Sequence, residues 1–318
     1  MRTYDVPLNK SVWVDREQIA ALASEWAPQE FVMPSWREPW YPEDDETFLQ
    51  FIGIANALNF CYTEPGKEKF AIQWNDMLLS GSAGLMAALL RAREEGTDIL
   101  DPRVLERLTP ERVRNIFRSD AGPLPLLNER WSLLKFLGLY FSFIEIETFE
   151  DIFRNCAYRA DRIIAFLTQK LVEVYGRDVA PSAQGGHRFD KRARLLPLMY
   201  AGRAQSSEGL RPLTNAQAIG PVVDYQVAKT LRQLGALEYV AELDSKIEQG
   251  IPLVAWSDEE FGIRSASAYA TEELQERIND QRRDVGLAEI TMVELDYRLW
   301  SSGRKLPGSH HPCMTTAY

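Results

Sequence analysis

The stretch TFLQFIGIANALNFCY, residues 47–62, is apolar almost all the way round a helical wheel. A helix without a polar face has no side to give to water, so the pattern predicts a buried helix over 47–62 at the centre of a helical body. Cys61 falls in this segment, where a thiol is ordinarily inert core. Asn59 is its odd member, because a buried amide must find hydrogen-bond partners. A neighbouring backbone carbonyl and a bound base both meet that need.

Working outward, helix signals recur on both sides. Asp15 with Gln18 precedes Ile19, Leu22 and Trp26 at helical spacing, and Thr109-Pro110 sets a cap before a proline in the first turn. Ser257 with Glu260 and Thr291 with Glu294 read as capping boxes. A helix over 82–95 ends at Gly96, and others are predicted at about 128–142, 147–153, 158–175, 189–201, 222–234, 239–249 and 265–281, with Gly235 and Gly250 as stops. Phe70, Ile72 and Trp74 alternate before Asn75-Asp76, which predicts at most a short β-hairpin near residues 69–80. The fold class is therefore mainly α. With no flexible linker and no internal repeat, residues 1–318 read as a single unit, one compact helical body of one or two lobes.

The 318 residues are 45% hydrophobic and 26% charged, ordinary for a globular chain, and 36 Lys and Arg against 46 Asp and Glu leave a net charge of −10. That balance argues against a grip on a polynucleotide, which basic stripes supply, but allows a small anion. Cys61, Cys156 and Cys313 are too scattered for a zinc cluster and odd in number for disulfides, which fits a reducing, cytoplasmic setting. The first residues, MRTYDVPLNKSVWVDREQ, lack the apolar core of a signal peptide, and no run approaches the roughly 20 apolar residues of a membrane span.

Phosphate loops, dinucleotide fingerprints, HExxH and GxSxG are absent, and His187 is far in sequence from His310 and His311, so no metal site is expected. What remains are carboxylates beside aromatics, the residue types that suit a cationic transition state flanked by stacking surfaces. They occur in VVDY at 222–225 and ELDYRLW at 294–300. Asp224 also reads as a first-turn acid favoured by the helix dipole, and Asp296 as a surface partner of Arg298 or Arg304. Lys191-Arg192, a basic pair on a helix, reads first as surface decoration and only second as a ligand site.

A collinear set of blocks resembles the queuosine salvage protein family, the queuosine 5′-phosphate N-glycosylases. ALNFCY at 57–62, ALLRAREEGTDILDP at 88–102 and IFRSDAGPLPLLNER at 116–130 carry the first half of the resemblance. FDKRARLL at 189–196, VVDYQVAKTLRQLGAL at 222–237, GIRSAS at 262–267, ELDYRLWS at 294–301 and the histidine-bearing tail to Tyr318 carry the second. Gln226, Ala228 and Lys229 depart from the family's arginine, proline and glutamine, and Thr63 from its tryptophan, all at the expected pocket rim.

The resemblance implies a helical fold similar to the helix-hairpin-helix DNA glycosylases and hydrolysis of queuosine 5′-phosphate to queuine and ribose 5-phosphate. It implies a small-molecule partner, neither polynucleotide nor membrane, and neither metal nor organic cofactor. It makes Asp224 the catalytic carboxylate, Asn59 a hydrogen-bonding partner and Phe60 a stacking surface for the base. Asp296 would meet the queuine amine or the ribose hydroxyls. Lys191 would hold the 5′-phosphate with His311 and Tyr318 as helpers and Arg298 as a weaker one, while Tyr225 and Trp300 complete the substrate-binding set. Arg118-Ser119-Asp120 reads either as part of that site or as internal structure. The alternatives are a base-excision DNA glycosylase and a non-catalytic nucleotide-binding protein.

Overall fold

The computed structural model describes residues 10–318, so the first nine residues of the stretch read above as lacking a signal peptide lie outside the described residues. Fourteen α-helices dominate among the described residues, with two small antiparallel strand pairs. None of the helices is long and apolar enough to cross a membrane.

The helix starts follow the capping chemistry of the sequence. Asp15 accepts a hydrogen bond from the Gln18 amide at 2.8 Å, Thr109 from Arg112, and Thr291 with Glu294 closes a complete capping box. Ser257 caps only one way, because the Glu260 carboxylate reaches past it to the Trp256 amide at 2.9 Å. The hairpin forms from Ala71–Trp74 and Met77–Ser80, turning on Asn75 and Asp76, both at positive φ as a tight two-residue turn demands. A second pair, Val12–Val14 with Leu237–Tyr239, was not expected. Three residues are too few for alternation to register in the sequence. The helix expected over 158–175 is two, Ala160–Lys170 and Val172–Tyr175, broken at Leu171.

The central helix is Asp45–Ala57, with Phe48, Phe51, Ile52 and Ile54 fully buried. Gly53 gives the Phe149 ring room that a Cβ would take, and its carbonyl accepts from the Tyr175 hydroxyl. The helix does not run to residue 62 as predicted. The carbonyl of its last residue and those of the turn beyond it are met by three buried cations from other helices: Arg192 donates to the Ala57 carbonyl, Lys191 Nζ to Asn59 O at 2.9 Å, and Arg130 to the carbonyls of Phe60 and Cys61. Positive charge at the negative end of a helix is favourable, and these donors satisfy groups that the helix leaves open. Cys61, at φ 38°, turns the chain away.

Two large apolar clusters result. One is built on the Asp45–Ala57 helix and its neighbours, the other on Ile19, Leu22 and Trp26 packed with Leu231, Ile263 and Leu274. The helix Met292–Gly303 belongs to both, Val293 in the first and Leu295 and Leu299 in the second. Gly303 lets it approach the helix Tyr225–Gln233 closely, since a Cβ there would collide with Thr230 and the Gln226 carbonyl. Thr230 Oγ1 donates across the same contact to Leu299 O at 2.7 Å.

Candidate active site

A narrow cleft opens at this seam. Asp224, Asp296, Lys191, Asn59, Tyr225, Trp300 and Tyr318 all line it. Residues as distant as Asn59 and Tyr318 are thus brought together with three helices, Lys191–Gln205, Tyr225–Gln233 and Met292–Gly303.

Asp224 is the N-cap of the Tyr225–Gln233 helix, its Oδ1 accepting from the amides of Gln226 at 2.8 Å and Val227 at 3.0 Å. Its Oδ2 takes no hydrogen bond among the described residues and is left for the cleft. The dipole reading and the functional reading of Asp224 are therefore compatible.

Asp296 is not a surface partner of Arg298 or Arg304. It is 7% exposed, and its Oδ1 has no hydrogen-bond partner among the described residues. Burial pushes its carboxyl well above the usual carboxylate range, the neighbouring Asp224 adds to this, and Lys191 opposes it. Arg298 lies elsewhere, over the rings of Trp26 and Phe31.

Lys191 begins the helix Lys191–Gln205 and is 3% exposed. Its Nζ donates to Asn59 O at 2.9 Å and Asn59 Oδ1 at 3.3 Å, and its backbone N–H donates to Asp178 Oδ2 at 2.9 Å. Burial pushes the ammonium down to about 8 against the pull of Asp224 and Asp296. An ammonium fixed on Asn59 and held down by burial, with Asp224 and Asp296 as its neighbouring acids, is a setting that does not favour the phosphate role expected for Lys191.

The Asn59 amide is partly engaged: Oδ1 also accepts from Tyr62 Oη at 2.9 Å, and Nδ2 donates one hydrogen to Asn56 Oδ1 at 3.2 Å. One Nδ2 hydrogen remains for a ligand. Phe60 is corrected outright. It is fully buried with the guanidinium of Arg130 4.1 Å from its ring centroid and that of Arg192 at 5.3 Å, so it has no face to offer a base. His311 also stands behind the cleft, its Nε2 3.0 Å from Tyr318 Oη, and burial pushes its imidazole down to about 3. Arg118, Ser119 and Asp120 are structural: Arg118 pairs with Glu95, Ser119 Oγ bonds the Ala71 carbonyl and Asp120 Oδ2 accepts from the Gln73 amide.

An aromatic wall of the cleft includes Trp36 and Tyr41, which sequence reasoning missed. Trp36, Tyr41 and Tyr297 join Trp300 in one wall, Trp36 meeting Tyr297 edge-on at 5.6 Å and Tyr41 at 6.0 Å. Fully buried Arg203 pins the loop that carries the first two, donating to the carbonyls of Trp36 at 2.7 Å, Pro42 and Glu43 while Asp45 takes its Nε. Tyr62, Ser82, Leu195, Met199 and Val222 complete the lining.

Lys69 and Lys229 lie near His310, with Arg304 near Lys69. His310 stacks on Tyr225 with ring centroids 4.2 Å apart, and Lys69 and Lys229 both push its imidazole down, after burial, while Asp224 pulls the other way. Burial, then Arg304 and Lys229, lowers Lys69. Lys69 and Arg304 have no carboxylate partner among the described residues. Lys229, one of the family departures, donates to the carbonyls of Gly303 at 3.0 Å and Leu306 at 2.8 Å.

Comparison with known proteins gives concordant results. A family model described as queuosine salvage protein matches residues 40–317. A Sphaerobacter thermophilus protein named queuosine 5′-phosphate N-glycosylase/hydrolase is 28% identical, the match covering 95% of this chain and 91% of that protein. Proteins of the same name from Mus musculus, 30% identical over 93% of this chain and 90% of the relative, and from Schizosaccharomyces pombe, 24% identical over 96% and 89%, are also similar.

Proposed function

The chain belongs to the queuosine salvage protein family, and from that premise we propose that it hydrolyses the N-glycosidic bond of queuosine 5′-phosphate, releasing queuine and ribose 5-phosphate. The observation that carries the reading is the pair of carboxylates, Asp224 and Asp296, set with Lys191 in one cleft under an aromatic wall. Breaking the bond to the base builds positive charge on C1′ and O4′ of the ribose. A fixed carboxylate beside the sugar stabilises that charge, and Asp224 Oδ2 is available to do so and to take a proton from the attacking water. Asn59 Nδ2 is placed to donate to the base, and the Trp36–Trp300 wall to stack on it. Tyr225 and Tyr318 close the cleft around the sugar. The net charge of −10 favours a mononucleotide over duplex DNA. The three free cysteines support a reducing, cytoplasmic setting.

Incubation of the purified protein with queuosine 5′-phosphate should release free queuine, read by chromatography, with ribose 5-phosphate in equal amount. Binding without release would instead favour a non-catalytic nucleotide-binding protein, and salt-sensitive capture of duplex DNA a base-excision enzyme.

The 5′-phosphate falls to the cations Lys69 and Arg304, with Lys229 behind them. Their mutual repulsion is relieved by an anion, and hydrogen bonds to charged groups are worth about 1.5–3 kcal/mol each. Lys69→Ala and Arg304→Ala should therefore each raise KM for queuosine 5′-phosphate by about 10–100-fold and leave the kinetics of the nucleoside queuosine unchanged. An unaltered ratio of nucleotide to nucleoside would move the phosphate elsewhere.

A further inference from the structure

We propose that Asp296 is the catalytic acid of this reaction: in its neutral form it donates a proton to the departing base. The proposal rests on the hydrolysis proposed above and assigns its second carboxylate. Queuine is a 7-deazapurine, with carbon where an ordinary purine has N7, so the usual route of activating the leaving group by protonation there is closed. Help must reach the acceptor edge of the six-membered ring, and it requires an acid that keeps its proton at neutral pH.

Asp296 is built for that state. It sits on a rigid helix, locked at its start by the Thr291 and Glu294 capping box and held on either side of Asp296 by buried Leu295 and Leu299. Its Oδ1 is buried at the cleft without a hydrogen-bond partner among the described residues. The charged groups that face it are Asp224, from the start of the Tyr225–Gln233 helix, and Lys191, from the Lys191–Gln205 helix. Lys191 makes no ion pair with it. Its Nζ turns instead to the two oxygens of Asn59, the choice expected beside a neutral carboxyl. Like charge and burial then act in one direction, and the two acids divide the work by environment, Asp224 capped by backbone amides and half-buried, Asp296 dry.

The step balances. The C1′–N bond breaks and its electron pair passes to the base, which takes the Asp296 proton. The water oxygen bonds to C1′ and its proton goes to Asp224. A proton then passes from Asp224 to Asp296, through Lys191 or solvent, and both acids are restored.

The competing role for Asp296 is a charged partner for the secondary amine of queuine, and substrate choice separates the two. With Asp296→Ala, kcat should fall about 10²–10⁴-fold on queuosine 5′-phosphate with little change in KM, and by a similar factor on 7-deazaguanosine 5′-phosphate, which lacks the amine but keeps the poor leaving group. A defect confined to the amine-bearing substrate, or a loss in KM alone, overturns the proposal. If the wild type does not turn over the simpler nucleotide, the pH profile decides. An acid must be protonated to act, so single-turnover rates of the wild type should fall as pH rises through the Asp296 titration. Lys191, pushed down to about 8, can produce a similar limb. The isosteric Asp296→Asn, which keeps the fold but cannot transfer a proton, should be slow at every pH, including below the Lys191 limb; near wild-type rates in Asp296→Asn overturn the assignment. Failure of the wild type to release queuine at all would count against the reaction itself and not against the division of roles.

Discussion

Asp224→Asn is expected to stop queuine release almost completely, with kcat lowered by about 10³-fold or more while queuosine 5′-phosphate still binds. Asparagine caps a helix about as well as aspartate, so the amides of Gln226 and Val227 keep an acceptor and the Tyr225–Gln233 helix keeps its start. The variant therefore removes charge without removing structure. What disappears is the negative oxygen facing the ribose and the base that takes the proton of water. Loss of a general base alone accounts for about 10²–10⁴-fold, and loss of electrostatic stabilisation in a water-poor cleft adds to it. A 10³-fold loss corresponds to about 4 kcal/mol of transition-state stabilisation. Rates by chromatography, affinity by quenching of the Trp36 and Trp300 fluorescence, and the thermal midpoint should be read on one preparation. Near-normal turnover would remove Asp224 from the chemistry. A loss of binding equal to the loss of rate would make it a ground-state ligand.

Much of the fold was legible because its helices announce themselves locally. Asp15, Thr109, Ser257 and Thr291 begin helices where the sequence places caps, and Gly96, Gly235 and Gly250, all at positive φ, end them. The Asp45–Ala57 helix has no such stop. Its end is written at Arg130, Lys191 and Arg192, which are remote in the chain and read there as ordinary charges. A wholly apolar segment carries no mark of where the helix yields to a turn, so residues 58–62 read as a continuation.

The site was legible in the same uneven way. Asp224-Tyr225 and Asp296 with Trp300 stand out as acids beside aromatics at helical spacing, and all four border the cleft. Asn59 stood out as a lone amide in an apolar run and Lys191 only as one of a basic pair, while Tyr318 came from the family resemblance, because a single residue has no periodic signature. Phe60 misled for a physical reason: inside an apolar run, a ring facing two guanidinium groups in the core looks the same as a ring facing a ligand. Trp36 and Tyr41 lay in a proline-rich loop without periodicity, whose shape depends on Arg203 more than 150 residues away.

The largest effect on stability is expected from Asp178→Ala. Arg264 is 1% exposed, with its guanidinium 4.0 Å from the Phe189 ring centroid, 4.5 Å from that of Tyr318 and 5.3 Å from that of Trp256. Asp178 answers it with both carboxylate oxygens, at 2.7 and 2.8 Å, and the same carboxylate accepts from the Lys191 amide. That last bond substitutes for a local cap, since Asp190 stands in the left-handed region and makes none. Removing Asp178 leaves a buried guanidinium with only Glu260, 3.9 Å from Nε, to offset it, and breaking a buried pair in this way costs about 3–5 kcal/mol. Asp178→Ala should accordingly lower the denaturation midpoint steeply. The double variant Asp178→Leu with Arg264→Met, which removes both charges, should recover much of the loss. A change of less than 1 kcal/mol in Asp178→Ala would mean that Glu260 takes over the pair. Because Asp178 holds the backbone of Lys191 and Arg264 supports the ring of Tyr318, the fraction of Asp178→Ala that remains folded should also turn over more slowly. A pair buried behind the cleft thus fixes two of the residues that line it, at the seam where the apolar clusters meet.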